Sequence, residues 1–365
     1  MKKILFYISI PFMILGIISA TYTFKNRAQN IPVPILVEVN SIEEITQPYI
    51  DNDRTKGLSI GTYKDGKIDF YNFGVCSDEN AVLPSEQSIY EIGSITKTFT
   101  TTVLAQMVIE GKVQYEDPVS KYLPKEIVSW SPNVSITLEE LATHSSSLPR
   151  MPNNFLKSAF LNPNNPYKDY AVKDMFAYLK DFKPTPKSER KVAYSNLGMG
   201  LLGHILANVD SLSYEEMITK RIFEPLEMND SRIEIAEGSL IQGHNGSGNP
   251  TSQWDLPTLA GAGAIRSNTS DMMKYLVANI NEQAAYVLTH APRKDFTDFQ
   301  KIGLAWISQQ NGDLAFTWHN GGTGGFRTFT GFSKEKKVGV VVLANSVQGV
   351  DKIGVRILEF LAEPE

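Results

Sequence analysis

Apolar positions follow two periods along this chain. Leu58–Lys64 and Lys67–Phe73 flank Asp65-Gly66, a two-residue hairpin signal. Beyond them the spacing turns helical. Ile95, Phe99, Val103 and Met107 recur every fourth residue, with Leu104 and Val108 beside them, which predicts a helix over about Ser94–Glu110 with one buried stripe. Gly111 stands where the left-handed residue after a helix end belongs. From Asp117 to Asn281, helical patterns (Leu138–Thr143, Val172–Tyr178, Met199–Val209, Tyr214–Arg221) alternate with Pro- and Gly-rich loops. Strand-like runs return at Leu314–Trp318, Phe326–Phe332 and Val338–Ala344, the last two separated by the turn Ser333–Lys337. A helix over about Val350–Leu361 closes the chain. Strands at both ends and helices between them predict an α/β fold of α+β type. One antiparallel sheet is flanked by helices, with a helical subdomain inserted over roughly 117–281.

Composition removes several classes of function. Lysine plus arginine total 35 against 40 acidic residues, a net charge of −5 without a basic run, which argues against a nucleic-acid partner. The lone Cys76 excludes an intrachain disulfide and any zinc or iron–sulfur site built from several cysteines. The five histidines form no H-x-x-x-H or H-E-x-x-H pair, so a metal site would have to bring distant residues together. At the N-terminus Lys2 and Lys3 precede a charge-free apolar run, Ile4–Ala20. That pattern fits a cleaved secretory signal or an uncleaved membrane anchor, and either places Thr21 onward outside the cytoplasm. Residues 21–40, with Pro32 and Pro34, read as a linker to a domain spanning 41–365. The oligomeric state is not legible at this level.

Three short constellations carry chemistry. In the first, Ser94 and Lys97 lie three residues apart at the start of the predicted helix, hence on one face. A helix N-terminus favours a developing negative charge, and a desolvated lysine has the lowered pKa a proton acceptor needs. The same S-x-x-K spacing recurs at Ser188/Lys191 and Ser333/Lys336, in a polar loop and a turn that read as solvated surface. An ordinary helix cap is the competing reading of Ser94. In the second, Tyr194-Ser195-Asn196 stands between a polar loop and an apolar helix. The phenol is a candidate acid/base group, and Asn196 offers both a donor and an acceptor. In the third, His319-Asn320-Gly321-Gly322-Thr323-Gly324-Gly325 continues a strand. Glycines there permit close approach of a ligand or another backbone, and their N–H groups can hold an oxyanion. A phosphate loop is disfavoured because no G-K-[ST] follows.

Taken in order, Ser94-x-x-Lys97, Tyr194-x-Asn196 and His319-x-Gly321 resemble the three boxes of the class C β-lactamase and low-molecular-weight penicillin-binding protein family. Leu141–Pro149, Glu224–Met228 and Ala260–Gly263 leading to Asp271 are similar too, so the resemblance spans about Leu58 to Leu361. It implies a β-lactamase/transpeptidase-like fold and an acyl-enzyme formed on Ser94, with no metal or organic cofactor. Lys97 and Tyr194 would share the proton transfers, with either as the base. Asn196 and His319 would bind substrate, and the N–H groups of Ser94 and Gly322, beside Gly321, would form the oxyanion hole. The expected reaction is hydrolysis of peptidoglycan-like amides or β-lactams in the cell envelope, with an esterase or a non-hydrolysing penicillin sensor as alternatives. Three departures stand out. His319 replaces the usual lysine of the third box, so activity on carboxylate-bearing substrates is expected to weaken as pH rises through roughly 6–7. Ser147 occupies a place where relatives often have glycine. Asn153 or Asn154 is a candidate for the missing glutamine that contacts the substrate amide.

Overall fold

The computed structural model describes residues 39–364, apart from 53, 78, 80, 237 and 283. The expected signal or anchor over 1–20, and the linker up to Glu38, lie outside the described residues. The strands are β1 (Gly57–Lys64), β2 (Lys67–Gly74), β3 (Tyr90–Glu91), β4 (Arg266–Ser267) and β5 (Lys294–Thr297). They continue with β6 (Gln300–Ile302), β7 (Ile307–Asn311), β8 (Leu314–Gly322), β9 (Arg327–Ser333) and β10 (Val338–Ala344). Eight of them form one antiparallel sheet in the order β2-β1-β10-β9-β8-β7-β6-β5, and β3 pairs with β4 separately. The helices that matter below are α1 (Ile42–Ile50), α2 (Thr96–Ile109), α3 (Asn196–Asp210), α4 (Ala260–Gly263), α5 (Thr269–Ile280) and α6 (Asp351–Ala362). The antiparallel sheet and its flanking helices match the expected fold.

The β1–β2 hairpin turns at Asp65 and Gly66, with φ of 47° and 93°. Positive φ at both central residues is the type I′ geometry that suits the twist of a tight hairpin. A Cβ on Gly66 would meet nothing within 4 Å, so its requirement for glycine is conformational. Gly66→Ala is therefore expected to cost about 1 kcal/mol in urea unfolding, and Gly66→Asn less.

Around the site, the sheet separates its two faces by strand alternation. Asn320 Nδ2 donates to Asp351 Oδ2 at 2.9 Å, and Gly354 lies against the Phe329 ring, so Asn320 and Phe329 face α6. The alternate residues face α2. Thr328, paired with Gly321, donates through Oγ1 to Ile92 O at 2.9 Å. His319 and Gly321 share that face.

Helix α2 departs from the expected single stripe, because it is buried on nearly every side. Its threonines go inside with their hydroxyls satisfied. Thr101 Oγ1 donates to Leu304 O at 2.9 Å and Thr102 Oγ1 to Thr98 O at 2.9 Å. Phe99 stacks on Tyr275 of α5 with ring centroids 3.8 Å apart. Two groups of elements had no clear pattern in the sequence. Helix α1 contains Pro48, and β5 to β7 are short and mostly polar. They complete one edge of the sheet without the apolar alternation of an inner strand.

Candidate active site

Ser94 sits in a single 3-10 turn, Gly93–Ile95, that leads into α2. Gly93 has φ +53°, and a Cβ there would lie 2.7 Å from Gly322 N. Glycine thus lets the serine turn press against the end of β8. Gly321 does the same from the other side, since its Cβ would lie 2.0 Å from Ile92 O. These two glycines bring the first and third constellations together, with the Gly322 N–H beside Gly93.

Lys97 is one turn along α2 and is 0% exposed. Its Nζ lies 2.8 Å from Ser94 Oγ and donates to Ala262 O of α4 at 2.6 Å. Burial drives its pKa well below the usual lysine range, and the Arg150 charge pushes in the same direction. The side chain is packed against the serine hydroxyl in surroundings that favour its uncharged form.

Tyr194 closes the group. Its phenol hydrogen-bonds Ser94, and Lys97 Nζ lies 4.9 Å from its ring centroid. Burial pushes the phenol up to about 12 even though Arg150 and the bond to Ser94 both pull it down. The Arg150 guanidinium lies 5.1 Å from the same ring centroid, and the His144 ring lies 4.4 Å away.

Backbone bonds hold this tyrosine in place. Ala193 N donates to His144 O at 2.7 Å, and Asn196 N donates to Arg150 O at 3.0 Å. Ser195 caps α3, its Oγ accepting from Gly198 N at 2.8 Å and donating to Pro149 O at 2.7 Å. The loop from His144 to Arg150 is thereby clipped to the start of α3. Ser147 in that loop has φ +64°, the left-handed conformation that glycine adopts without strain.

Asn196 is buried at the first position of α3. Its Nδ2 reaches Tyr167 OH at 3.4 Å, while Oδ1 has no hydrogen-bond partner. Neither Asn153 nor Asn154 enters the site. Asn154 Nδ2 donates to Asp174 O at 2.7 Å and its Oδ1 accepts from Tyr170, while Asn153 is exposed. Ser188, Lys191 and Lys336 are exposed as expected, but Ser333 is buried at the end of β9, where it caps the turn by accepting from Lys336 N.

His319 is 1% exposed, and its Nδ1 lies 2.6 Å from Asn320 O. Burial, and then the Lys97 charge, push its pKa down to about 3. The ring is neutral throughout the physiological range. The expected loss of its charge between roughly pH 6 and 7 is therefore corrected: His319 has no proton to lose there. His144 is likewise buried, with Nδ1 accepting from Ser195 N at 3.2 Å, and burial lowers its pKa well below the usual histidine range. In the sequence His144 stands only inside the similar stretch Leu141–Pro149, and Arg150 directly follows it. The left-handed φ of +56° at His144 turns that stretch onto Tyr194.

This sheet with its flanking helices, and a serine hydroxyl held between a buried amine and a phenol, define a serine hydrolase. The chain belongs to the β-lactamase family, whose family model matches residues 42–362. It is 26% identical to a β-lactamase of Providencia stuartii, covering 83% of this chain and 86% of the relative. It is 26% identical to the D-alanyl-D-alanine-carboxypeptidase/endopeptidase AmpH of Escherichia coli K12, covering 84% and 87%. Among solved structures, a class C β-lactamase superposes with a TM-score of 0.77 at 23% identity, over 89% of this chain and 96% of that one. A β-lactamase/D-alanine carboxypeptidase from Pseudomonas syringae gives 0.76 at 22% identity, over 88% and 98%. These two likenesses establish the fold.

Proposed function

We propose that Ser94 is the nucleophile of an acyl-enzyme hydrolase that acts, outside the cytoplasm, on peptidoglycan-like amides or β-lactams. The observation that carries this reading is the 2.8 Å approach of a fully buried lysine amine to the Ser94 hydroxyl. A lysine charged at that place would be desolvated, whereas a neutral one has a lone pair for the serine proton. Burial raises the Tyr194 phenol and lowers the Lys97 ammonium, so both favour their uncharged forms. Of the two candidate bases, the amine is the one that burial shifts toward its accepting form.

Lys97 takes the Ser94 proton as Oγ bonds to the carbonyl carbon. The oxyanion meets the N–H groups of Ser94 and Gly322, each worth about 3–4 kcal/mol in comparable hydrolases. Tyr194 passes the proton from Lys97 to the leaving nitrogen as its bond to the carbonyl carbon breaks. Water then attacks the ester by the same route in reverse. Asn196, with its unpartnered Oδ1, accepts from the N–H on the acyl side.

Intact-mass measurement after exposure to a labelled penicillin is expected to show one adduct on Ser94 that decays with time, and none in Ser94→Ala. An adduct elsewhere, or an equal one in Ser94→Ala, would remove the nucleophile from this account. The acylation rate is expected to stay flat from neutral pH to about 10, below the Tyr194 phenol, and to fall on the acid side as Lys97 gains its proton. A rate that rises steeply between pH 8 and 10 would instead require Lys97 to be charged at neutral pH.

A further inference from the structure

Three segments bring titratable side chains up to the Tyr194 ring. Lys97 comes from α2, with Nζ 4.9 Å from the ring centroid. His319 comes from β8, with ring centroids 6.3 Å apart. His144 and Arg150 come from the loop clipped to the start of α3, with the His144 ring at 4.4 Å and the Arg150 guanidinium at 5.1 Å. Tyr167 lies behind them, its hydroxyl 3.4 Å from Asn196 Nδ2. Burial lowers both histidines and raises Tyr167, so all three are uncharged at neutral pH. A guanidinium, by contrast, carries a permanent charge. The main chain fixes where that charge stands. Arg150 O accepts from Asn196 N at 3.0 Å and from Leu197 N at 3.2 Å, just after Tyr194. The Arg150 side chain is half-buried, so solvent screens it only in part.

The proton that Lys97 takes from Ser94 has to reach the leaving nitrogen. Lys97 gives it to the phenol oxygen, the phenol gives its own proton to the nitrogen, and the bond from nitrogen to the carbonyl carbon breaks. An ammonium forms first on this path, and negative charge then gathers on the phenol. One fixed cation acts on both. It repels the Lys97 ammonium, and it attracts the electron-rich ring of a phenolate more than that of a phenol. Arg150 pulls the titrations of Lys97 and Tyr194 down, in each case second to burial. Both effects send the proton onward, off the lysine and through the phenol. An interaction that strengthens as the reaction proceeds is the kind that speeds the chemical step. The neutral ring of His319 has no such charge to offer.

From this geometry we infer that Arg150 is a positioning residue for the acyl-transfer step, its charge held against the Tyr194 ring to drive the proton from Lys97 through the phenol to the leaving nitrogen. The inference rests on the acyl-enzyme reading above.

The test follows acylation of Ser94 on the purified full chain at pH 9 by two compounds. A labelled penicillin has a leaving nitrogen that needs a proton, and p-nitrophenyl acetate has a leaving phenolate that needs none. Arg150→Met is expected to lower the penicillin rate at least about tenfold more than the acetate rate. Arg150→Lys keeps a cation and is expected to restore most of that ratio. In a Tyr194→Phe background the ratio should no longer respond to Arg150→Met. The acid limb of the acetate profile gives a second readout. Without the Arg150 charge Lys97 is easier to protonate, so the limb is expected to move up by at least about half a pH unit in Arg150→Met and to return in Arg150→Lys. A loop that was merely displaced would slow both compounds alike and leave the limb where it was, and that result overturns the inference. So does an Arg150→Lys that matches folded Arg150→Met. Should Arg150→Met fail to fold, Arg150→Gln takes its place in the same comparison. If neither compound acylates Ser94 in the wild type, the acyl-enzyme reading fails and takes this inference with it. If both do and Arg150→Met leaves their ratio unchanged, only the inference fails.

Discussion

Lys97→Met is expected to slow acylation of Ser94 by about 10²–10⁴-fold, the range that a positioned proton acceptor contributes. Methionine fills nearly the same volume, so the loss is one of chemistry more than packing. A second readout comes from proton linkage. In the unfolded chain a lysine titrates near about 10.4. In the folded protein burial holds Lys97 well below that range. Between the two values the unfolded chain binds one more proton than the folded one. Unfolding free energy of the wild type therefore rises with pH by up to about 1.4 kcal/mol per unit, and Lys97→Met lacks that contribution. Urea denaturation at pH 7, 8, 9 and 10 is expected to show the wild type gaining on the variant at each step. Parallel slopes would mean that Lys97 is charged in the folded enzyme, and the neutral-amine mechanism would be lost.

The parts of this site that were legible in the sequence are those set by local geometry. Helical spacing alone puts Lys97 one turn beyond Ser94, and the structure keeps them 2.8 Å apart. The hairpin at Asp65-Gly66 is legible because only a few residue types accept its positive φ. Tyr194 is a hundred positions away from Ser94, and no periodicity measures that distance. Its approach depends on the loop that begins at His144, through backbone bonds from Ala193 and Asn196 and through the His144 ring, which accepts from Ser195 N. Arg150 belongs to no motif in the sequence, and only the fold brings its guanidinium to 5.1 Å from the Tyr194 ring centroid. The charge state of His319 depends on burial by distant segments, so the residue was legible and its proton was not. The even burial of α2 follows from packing against elements on several sides, which its threonine content disguises.

Gly321→Ala is expected to be the more damaging of two neighbouring glycine substitutions. A Cβ on Gly321 would sit 2.0 Å from Ile92 O and 2.3 Å from Thr328 Oγ1. The first of these is backbone immediately before the Ser94 turn, and it cannot rotate away. Either β8 or the serine turn must retreat, which separates the Gly322 N–H from the place where the oxyanion forms. The expected cost is about 1–3 kcal/mol in stability, from overpacking. Acylation should fall by about 10²–10³-fold, the size of one lost oxyanion donor. At Gly322 the nearest atom to a new Cβ is Arg327 Nη1 at 2.9 Å, the end of a flexible side chain on the opposite face of the sheet. That side chain can shift, so Gly322→Ala should keep more of both stability and rate. Thermal unfolding and time-resolved intact-mass acylation of the two variants would order them. If Gly322→Ala proved the worse, the close contact of β8 with Ile92 would not be what sets the oxyanion position, and the placement of Ser94 against the sheet would need another cause.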